Sequence, residues 1–266
     1  MHLKRLQLVL LIGGLILCLG AGNLWAAVGI SPACVELSLD KKRPAGKFVI
    51  RNTGEKTERY RIKASHFELG INGELIKVPP NKNSLVPWIK FNPKEFSLPP
   101  KSRRAVRFVI VPRGKLPDKA YWAFMELEPL KANVAKSKDA DGRTFSVKVL
   151  TSILVPIFAT KGKLSYEASI EDIKIVPQES GTGVEVMVTN KGKGIITAKV
   201  NYEIIDTSGN VVNEGLLGKS YIFPSAQRKF RKLIDTEIPK GDYSVKVVCE
   251  SRKLKKILTK TIQHAW

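Results

Sequence analysis

The sequence predicts an all-β chain of two tandem β-sandwich domains behind a cleaved signal peptide. A charged start followed by an apolar run, short segments in which apolar residues alternate, and the absence of a helical period all support this prediction. Turn residues, prolines above all, separate the segments. We therefore divide the chain into a signal peptide over 1–26, a first sandwich over 28–160 and a second over 164–266.

The first 26 residues have the order of a secretory signal: Lys4 and Arg5, an apolar run over Leu8–Leu19, and small residues ending at Ala26. The run is shorter than the roughly 20 residues that a membrane-spanning helix needs. We expect cleavage after Ala26, export to the periplasm, and no integral membrane segment in the mature chain. Cys18 would leave with the signal.

Removing 26 of 266 residues leaves 240, which suits two domains of about 120 residues, each with its own core. Cys34 and Cys249 remain, neither in a C-x-x-C spacing. An oxidising compartment permits them to pair but does not require it. The favoured interpretation is two lone buried thiols that pack as small apolar side chains.

The net charge is strongly positive. The formal charge is +21, and removal of Lys4 and Arg5 leaves +19. Such a field attracts anionic partners: lipid head groups, polysaccharide or acidic polypeptide. The equally weighted alternative is that scattered cations only keep a β-protein dispersed. Export argues against nucleic acid as a partner.

In the first domain, period-two segments alternate with turns, as expected of an antiparallel sandwich. The polar stretch Lys131–Arg143 has no apolar period, so it is predicted to be a mobile loop before the last strand. The segments that predict strands are Lys47–Arg51, Tyr60–Ala64, Ala105–Val111, Tyr121–Leu127 and Phe145–Phe158.

The second domain repeats this pattern. Val184–Val188 ends in the turn Asn190–Gly192, and Ala198–Ile205 follows. Tyr243 opens the segment Ser244–Val248, at the position where immunoglobulin-like sandwiches place a corner tyrosine whose hydroxyl bonds the backbone. We assign Tyr243 this structural role and predict immunoglobulin-like folds for both domains.

Catalytic machinery is not recognisable. His2 leaves with the signal, His66 stands alone near a strand end, and His264 lies in the C-terminal tail, so no metal-ligand spacing exists. The sequence also lacks a G-x-S-x-G elbow, a phosphate-binding glycine loop and a dinucleotide fingerprint. We predict a protein that is not an enzyme and uses no cofactor and no metal.

Three segments between Trp88 and Phe158 carry a family likeness. They are Phe96–Pro100 followed by Ala105–Arg107, then Leu116–Trp122, and then the alternating Phe145, Val147 and Val149. This part of the chain resembles the periplasmic pilus-assembly chaperones of the chaperone-usher system, with their F-x-L-x-P-G turn, their strand ending V-R and their L-P-x-x-x-E-S-x-F-W segment. Lys101 stands where that family usually has glycine.

The resemblance implies a binding strand. In that family, alternating apolar residues on the last strand of the first domain are lent to a pilus subunit whose own sandwich lacks a strand. Phe145, Val147 and Val149 are therefore the predicted subunit-binding residues, with Ser146 and Lys148 on the other face. The implied partners are exported β-rich subunits and an outer-membrane usher. The equally weighted alternative is that the three apolar residues pack in this protein's own core.

The sequence departs from the family at its basic anchors, which hold the subunit's terminal carboxylate. Cys34 and Leu154 occupy the anchor positions. Lys41, Lys42 and Arg43 lie nearby in sequence and are the candidate replacements. The second domain resembles generic immunoglobulin- or fibronectin-like modules more than the second domain of the chaperones.

Two functions follow from these observations. The first is a periplasmic chaperone-like protein that binds secreted surface or pilus subunits by edge-strand donation during assembly. The alternative is a non-catalytic structural or adhesive envelope protein that binds anionic partners through its basic surface, with binding that weakens in salt.

Overall fold

The computed structural model describes residues 28–131, 133–138, 144–178, 181–234 and 236–266. For residues 133–138, 144–149 and 178 it describes the backbone. The predicted signal peptide lies outside the described residues. Within the described ranges, no helix has the length and apolar character needed to span a membrane.

The described residues form nineteen β-strands and no α-helix, which confirms the all-β prediction. The first twelve strands are β1 (Val28–Ser31), β2 (Val35–Ser38), β3 (Ala45–Asn52), β4 (Glu58–Leu69), β5 (Leu75–Val78), β6 (Ile89–Asn92), β7 (Glu95–Leu98), β8 (Arg103–Ile110), β9 (Ala120–Pro129), β10 (Asn133–Lys138), β11 (Thr144–Val149) and β12 (Ile153–Thr160). The remaining strands are β13 (Ala168–Gln178), β14 (Gly181–Asn190), β15 (Ile196–Ile205), β16 (Val211–Ile222), β17 (Gln227–Ile234), β18 (Asp242–Glu250) and β19 (Leu258–Ala265).

The first sandwich packs the sheet β1-β3-β8-β6 against the sheet β2-β12-β9-β4-β5, in which β7 also pairs with β4. The chain changes sheets between its first two strands. β1 is antiparallel to β3, whereas β2 runs parallel to β12, with Val35 opposite Ile157. β2 therefore covers part of the outer edge of β12.

Alternating side chains build the core of this sandwich. Phe48 and Ile50 on β3 point inward to meet Tyr121, Ala123 and their neighbours on β9, and all four are at most 1% exposed. β9 differs from the other strands because residues 120–125 are all buried. A strand with two buried faces needs a cover on its outer face as well.

The second sandwich packs the sheet β13-β14-β17 against the sheet β16-β15-β18-β19. Its core follows the same alternation, with Val184, Val186 and Val188 of β14 facing Val245 and Val247 of β18, all fully buried. Cys249 belongs to this core and is free, as is Cys34.

Each of the two sandwiches has a buried asparagine at the end of a strand. The Asn52 side-chain amide donates to the backbone oxygens of Lys56 and Leu98, and its carbonyl accepts the Gly54 N–H at 2.9 Å. Asn190 does the same with the oxygens of Gly194 and Ile222 and with the Gly192 N–H. Each asparagine thus satisfies three backbone groups next to an N-x-G turn; all three bonds are buried at Asn190, and the bond to Leu98 is buried at Asn52.

We expect Asn52→Ala and Asn190→Ala each to lower the free energy of unfolding by about 2–3 kcal/mol. Either change leaves at least one buried carbonyl oxygen without its donor, which costs more than the net value of a hydrogen bond. Urea unfolding followed by tryptophan fluorescence would measure the loss. A change below about 0.5 kcal/mol in both variants would contradict the role assigned to the asparagines.

A corner tyrosine also occurs in each sandwich. The Tyr243 hydroxyl donates to the Pro239 carbonyl at 3.0 Å, and the Tyr121 hydroxyl donates to the Pro117 carbonyl at 3.0 Å. In both, the acceptor lies four residues before the tyrosine. The bond ties the incoming turn to the start of a core strand in each domain.

The structure corrects part of one sequence prediction, the loop before the last strand of the first domain. The prediction of a loop over Lys131–Arg143 is wrong for Asn133–Lys138, which forms β10. Pairing with β11 uses backbone groups and needs no apolar period.

Lys101, at the position where the family usually has glycine, has a positive φ of 58°, the conformation that glycine adopts most easily. Its ammonium group donates to the Thr53 carbonyl at 2.9 Å and pairs with Glu55.

Candidate functional site: an open strand edge beside an interdomain cleft

β9 and β12 continue into a two-stranded ribbon formed by β10 and β11. Leu127 pairs with Ile153 at the end of the sandwich, and the pairing resumes from Asn133 opposite Val149 to Lys138 opposite Thr144. The ribbon is a sheet of its own. The long hairpin therefore extends past the two packed sheets.

One edge of this hairpin has no strand beside it in the described part of the chain. β11 pairs with β10 alone. β2 pairs with β12 only from Ile157 to Thr160, so Ile153–Pro156 lacks a partner on that side. An open strand edge presents free N–H and C=O groups and is a template for a strand of another chain.

The three predicted binding residues lie on this open strand. Phe145, Val147 and Val149 are every second residue of β11, opposite Ser137, Ala135 and Asn133 of β10. Residues two apart on a strand share a face. Their side chains lie outside the described part of the structure, so the choice between subunit binding and core packing stays a prediction.

The candidate anchors lie elsewhere. Lys41, Lys42 and Arg43 are exposed and follow β2, beyond the pairing of Ser38 with Thr160. That is the far end of β12 from β11. Eight residues of β12 separate the two ends, which corresponds to roughly 25 Å. The structure does not bring these three cations to the open strand.

The outer face of β9 and β12 packs against the second sandwich. This apolar cluster between the domains holds Phe67, Trp122, Phe124 and Phe158 from the first sandwich, with Ile195 and Phe223 from the second. Leu154 and Cys34, which the sequence resemblance aligns with the family's anchor positions, are half-buried at its margin. An apolar contact thus occupies the region where the resemblance implied a basic pair.

Aromatic rings make the closest contacts across this interface. The Trp122 and Phe223 rings stack with centroids 4.5 Å apart, and Phe158 meets Tyr221 edge to face at 4.8 Å. The Trp122 indole N–H donates to the Phe67 carbonyl at 2.8 Å, so its ring has a fixed orientation. Contacts of this kind are worth more than the apolar area they bury.

Polar contacts also join the two sandwiches. Lys253 of the β18–β19 loop pairs with Glu36 of β2 at 2.6 Å. The Arg228 guanidinium donates to the carbonyls of Gly70 and Ile71 in the β4–β5 turn, at 3.3 and 3.1 Å. Burial lowers the pKa of Arg228. Charged and apolar contacts together therefore join the two sandwiches.

His66 lies beneath the interface, 1% exposed, with its ring stacked on Trp122 at 5.3 Å. Neither imidazole nitrogen makes a hydrogen bond of normal geometry within the described residues. Burial lowers the pKa of His66, and the Trp122 backbone, Glu68 and Asn81 oppose this only in part. The neutral imidazole is therefore the form that the fold accommodates.

We expect the protein to lose stability as the pH falls below about 6.5 because of His66. An unfolded histidine takes up a proton near that pH, whereas His66 in the folded protein has a lower pKa and stays neutral. Unfolding therefore binds a proton in this pH range, and a lower pH favours the unfolded state. The slope approaches about 1.4 kcal/mol per pH unit. Urea unfolding at several pH values, with His66→Gln as the comparison, would measure it. The same slope in wild type and variant would contradict this assignment.

The thiols have the environment of structural rather than reactive cysteines. Burial raises the pKa of Cys249 to about 11 and also raises the pKa of Cys34. The Tyr221 hydroxyl, which hydrogen-bonds Cys34, has its pKa raised to about 12, again chiefly by burial. Among the residues described, no three His, Cys, Asp or Glu side chains are grouped closely enough to hold a metal.

Sequence comparison gives no relative: no protein-family model and no curated protein matches the chain. Solved structures do match. The CsuC–CsuE chaperone–tip adhesion subunit pre-assembly complex of archaic chaperone-usher Csu pili from Acinetobacter baumannii shares 15% identity, over 90% of this chain and 98% of that chain, with a TM-score of 0.47.

Two further matches are of the same kind. The SafA pilin–SafB chaperone complex of Salmonella enterica gives 10% identity over 91% of this chain and 99% of that one, with a TM-score of 0.45. The CupB2 chaperone of Pseudomonas aeruginosa shares 12% identity over 89% of this chain and 99% of that chain, with a TM-score of 0.44. Many of the solved structures similar to this chain are fimbrial chaperones of the chaperone-usher system.

Proposed function

We propose that this protein is an exported, non-enzymatic assembly chaperone that binds β-rich surface or pilus subunits by adding β11 to them. The observation that supports the proposal is the open edge of β11 and of Ile153–Pro156. A subunit that lacks a strand has unpaired backbone groups and an exposed apolar groove. The open edge supplies the missing backbone partners.

Side chains would add the affinity. Phe145, Val147 and Val149 share a face of β11 and would enter successive positions of the subunit's groove. Apolar burial contributes about 25 cal/mol per Å². Binding of this kind needs no nucleotide and no cofactor, because the free energy comes from the burial and pairing themselves.

The hairpin that carries the edge has a rigid base. β12 contributes Val155, Ile157 and Ala159 to the core of the first sandwich and Phe158 to the interdomain cluster. A strand fixed on both faces holds the open edge at Ile153–Pro156 in place, and β11 precedes it by the three residues 150–152. A preorganised edge loses less conformational entropy on binding than a flexible one.

Co-expression tests the proposal. The protein would be produced in the periplasm with each exported, all-β protein encoded beside it, and the pairs purified through a tag on this chain. We expect at least one of these subunits to co-purify and to aggregate or be degraded without this chain. Stable, monomeric subunits that show no association would contradict the proposal.

A further inference from the structure

A cleft between the sandwiches, distinct from the open edge, is unusually rich in cations. It has a volume of about 880 Å³ and is reached from the margin of the interdomain cluster at Cys34 and Tyr221. Its lining contains two acids, Glu36 and Glu250. Its six cations are Lys199, Lys219, Arg252, Lys253, Lys255 and Lys256. We name this feature the basic cleft.

Most of these cations lack a counter-ion among the residues that the structure describes. Lys253 pairs with Glu36, which also neutralises that acid. Within the described ranges, no carboxylate lies within ion-pair distance of Lys199, Lys219 or Arg252, and the same holds for Lys255 and Lys256. The cleft thus concentrates positive charge that the described carboxylates do not neutralise.

Two of the lysines are held in an unfavourable arrangement. Lys199 of β15 lies directly opposite Lys219 of β16, and Glu250 of β18 lies opposite Lys199 on its other side. Directly opposed residues of antiparallel strands share a face, and like charges there repel. One carboxylate for two ammonium groups leaves an excess charge on this face. An anion placed between Lys199 and Lys219 would relieve the repulsion.

The other wall of the cleft indicates what kind of anion fits. Tyr221, Leu254 and Ile257 contribute apolar surface, and Ile257 is 60% exposed. A small inorganic anion would leave this surface in water. A polypeptide segment that carries carboxylates beside apolar side chains would cover it and neutralise the lysines together.

We propose that the basic cleft binds an acidic polypeptide segment, with Lys199, Lys219 and Arg252 as the main charged contacts. The proposed function supplies the identity of this polypeptide, which would be a part of the same subunit that pairs with β11. The site itself belongs to the second sandwich and its β18–β19 loop. Electrostatic complementarity of this kind favours fast and selective capture.

A labelled peptide tests the site without any subunit. The probe is a fluorescein-labelled twelve-residue peptide that alternates Glu with Leu and Ser, and fluorescence anisotropy measures its binding at low salt. We expect saturable binding that weakens as salt rises, because exposed charge pairs are screened. The matched peptide with Gln in place of Glu should not bind. Equal binding of the two peptides would overturn the proposal.

Matched variants locate the site. Lys199→Glu combined with Lys219→Glu should weaken peptide binding about tenfold or more, and the Gln pair should weaken it less. Lys90→Glu with Lys94→Glu changes the net charge equally on exposed positions of the first sandwich, on or beside β6. This control should change binding about twofold at most. An equal loss of peptide binding in the Lys199/Lys219 and Lys90/Lys94 variants would show that the peptide responds to the overall positive charge of the protein and has no specific site in the basic cleft.

Two further outcomes separate the alternatives. Tighter binding of inorganic polyphosphate, with the same dependence on Lys199 and Lys219, would overturn the choice of a polypeptide ligand. Aspartate at Val147 and Val149 should leave peptide binding unchanged, since those residues belong to β11. Failure of the peptide site and failure of strand addition are therefore distinguishable.

Discussion

We expect Val147→Asp combined with Val149→Asp to weaken capture of the subunit by roughly a hundredfold or more. Each buried valine contributes about 1.5–3 kcal/mol, and each 1.4 kcal/mol corresponds to a tenfold change in affinity. Aspartate also brings a charge into an apolar groove, which adds to the loss. Co-purification of the subunit, followed by titration of the purified pair, would measure the effect.

The matched control lies on the same strand. Thr144→Asp combined with Ser146→Asp adds the same two charges to the alternate face of β11. This pair should retain binding within a few-fold, and both double variants should unfold at the wild-type temperature. Retained binding in the valine variant would contradict the assignment of these side chains. An equal loss of subunit binding in both variants would show that the added charge weakens binding and that the valine side chains do not contribute.

The second large effect concerns the interface between the sandwiches. We expect Phe223→Ala to convert a single cooperative unfolding transition into two, with a loss of about 3–5 kcal/mol of stabilisation from the contact. Phe223 is 5% exposed and packs on Trp122 and Phe158 of the other sandwich. The core of its own domain does not depend on it. Differential scanning calorimetry would resolve the transitions.

Phe230→Ala provides the comparison, because Phe230 is equally buried but belongs to the core of the second sandwich. It should lower the stability of that domain without loosening the first domain from it. Small-angle scattering of the folded proteins should show a wider range of domain arrangements for Phe223→Ala alone. A single unchanged transition in Phe223→Ala would contradict a stabilising interface.

Much of the fold could be predicted from the sequence because strand alternation and turn residues are local signals. The N-x-G turns at Asn52 and Asn190 illustrate this: each marks the end of a strand, and the structure adds only the distant carbonyls that they bond. Lys131–Arg143 shows the limit. The strand β10 forms there through pairing with β11, and backbone pairing leaves no apolar pattern in the sequence.

The interdomain site was harder to predict. Six consecutive buried residues at 120–125 carry a signal, since a strand with one exposed face would alternate, but the partner face comes from Tyr221 and Phe223, about 100 residues away. The basic cleft was hard to predict for the same reason, because its residues are distant in the sequence. Lys199, Lys219 and Arg252 are ordinary surface cations in the sequence. The register of β15 and β16 sets Lys199 opposite Lys219, and the β18–β19 loop brings Arg252 to the same cleft.

Hydrogen–deuterium exchange of the protein with and without its subunit tests strand addition most directly. In the free protein, amides of β11 that point away from β10 should exchange quickly, because nothing in the described structure pairs with that edge. On binding, amides within Thr144–Val149 should become strongly protected, while those of β14 in the second sandwich stay unchanged. A stable complex in which β11 exchanges as fast as in the free protein would contradict strand addition.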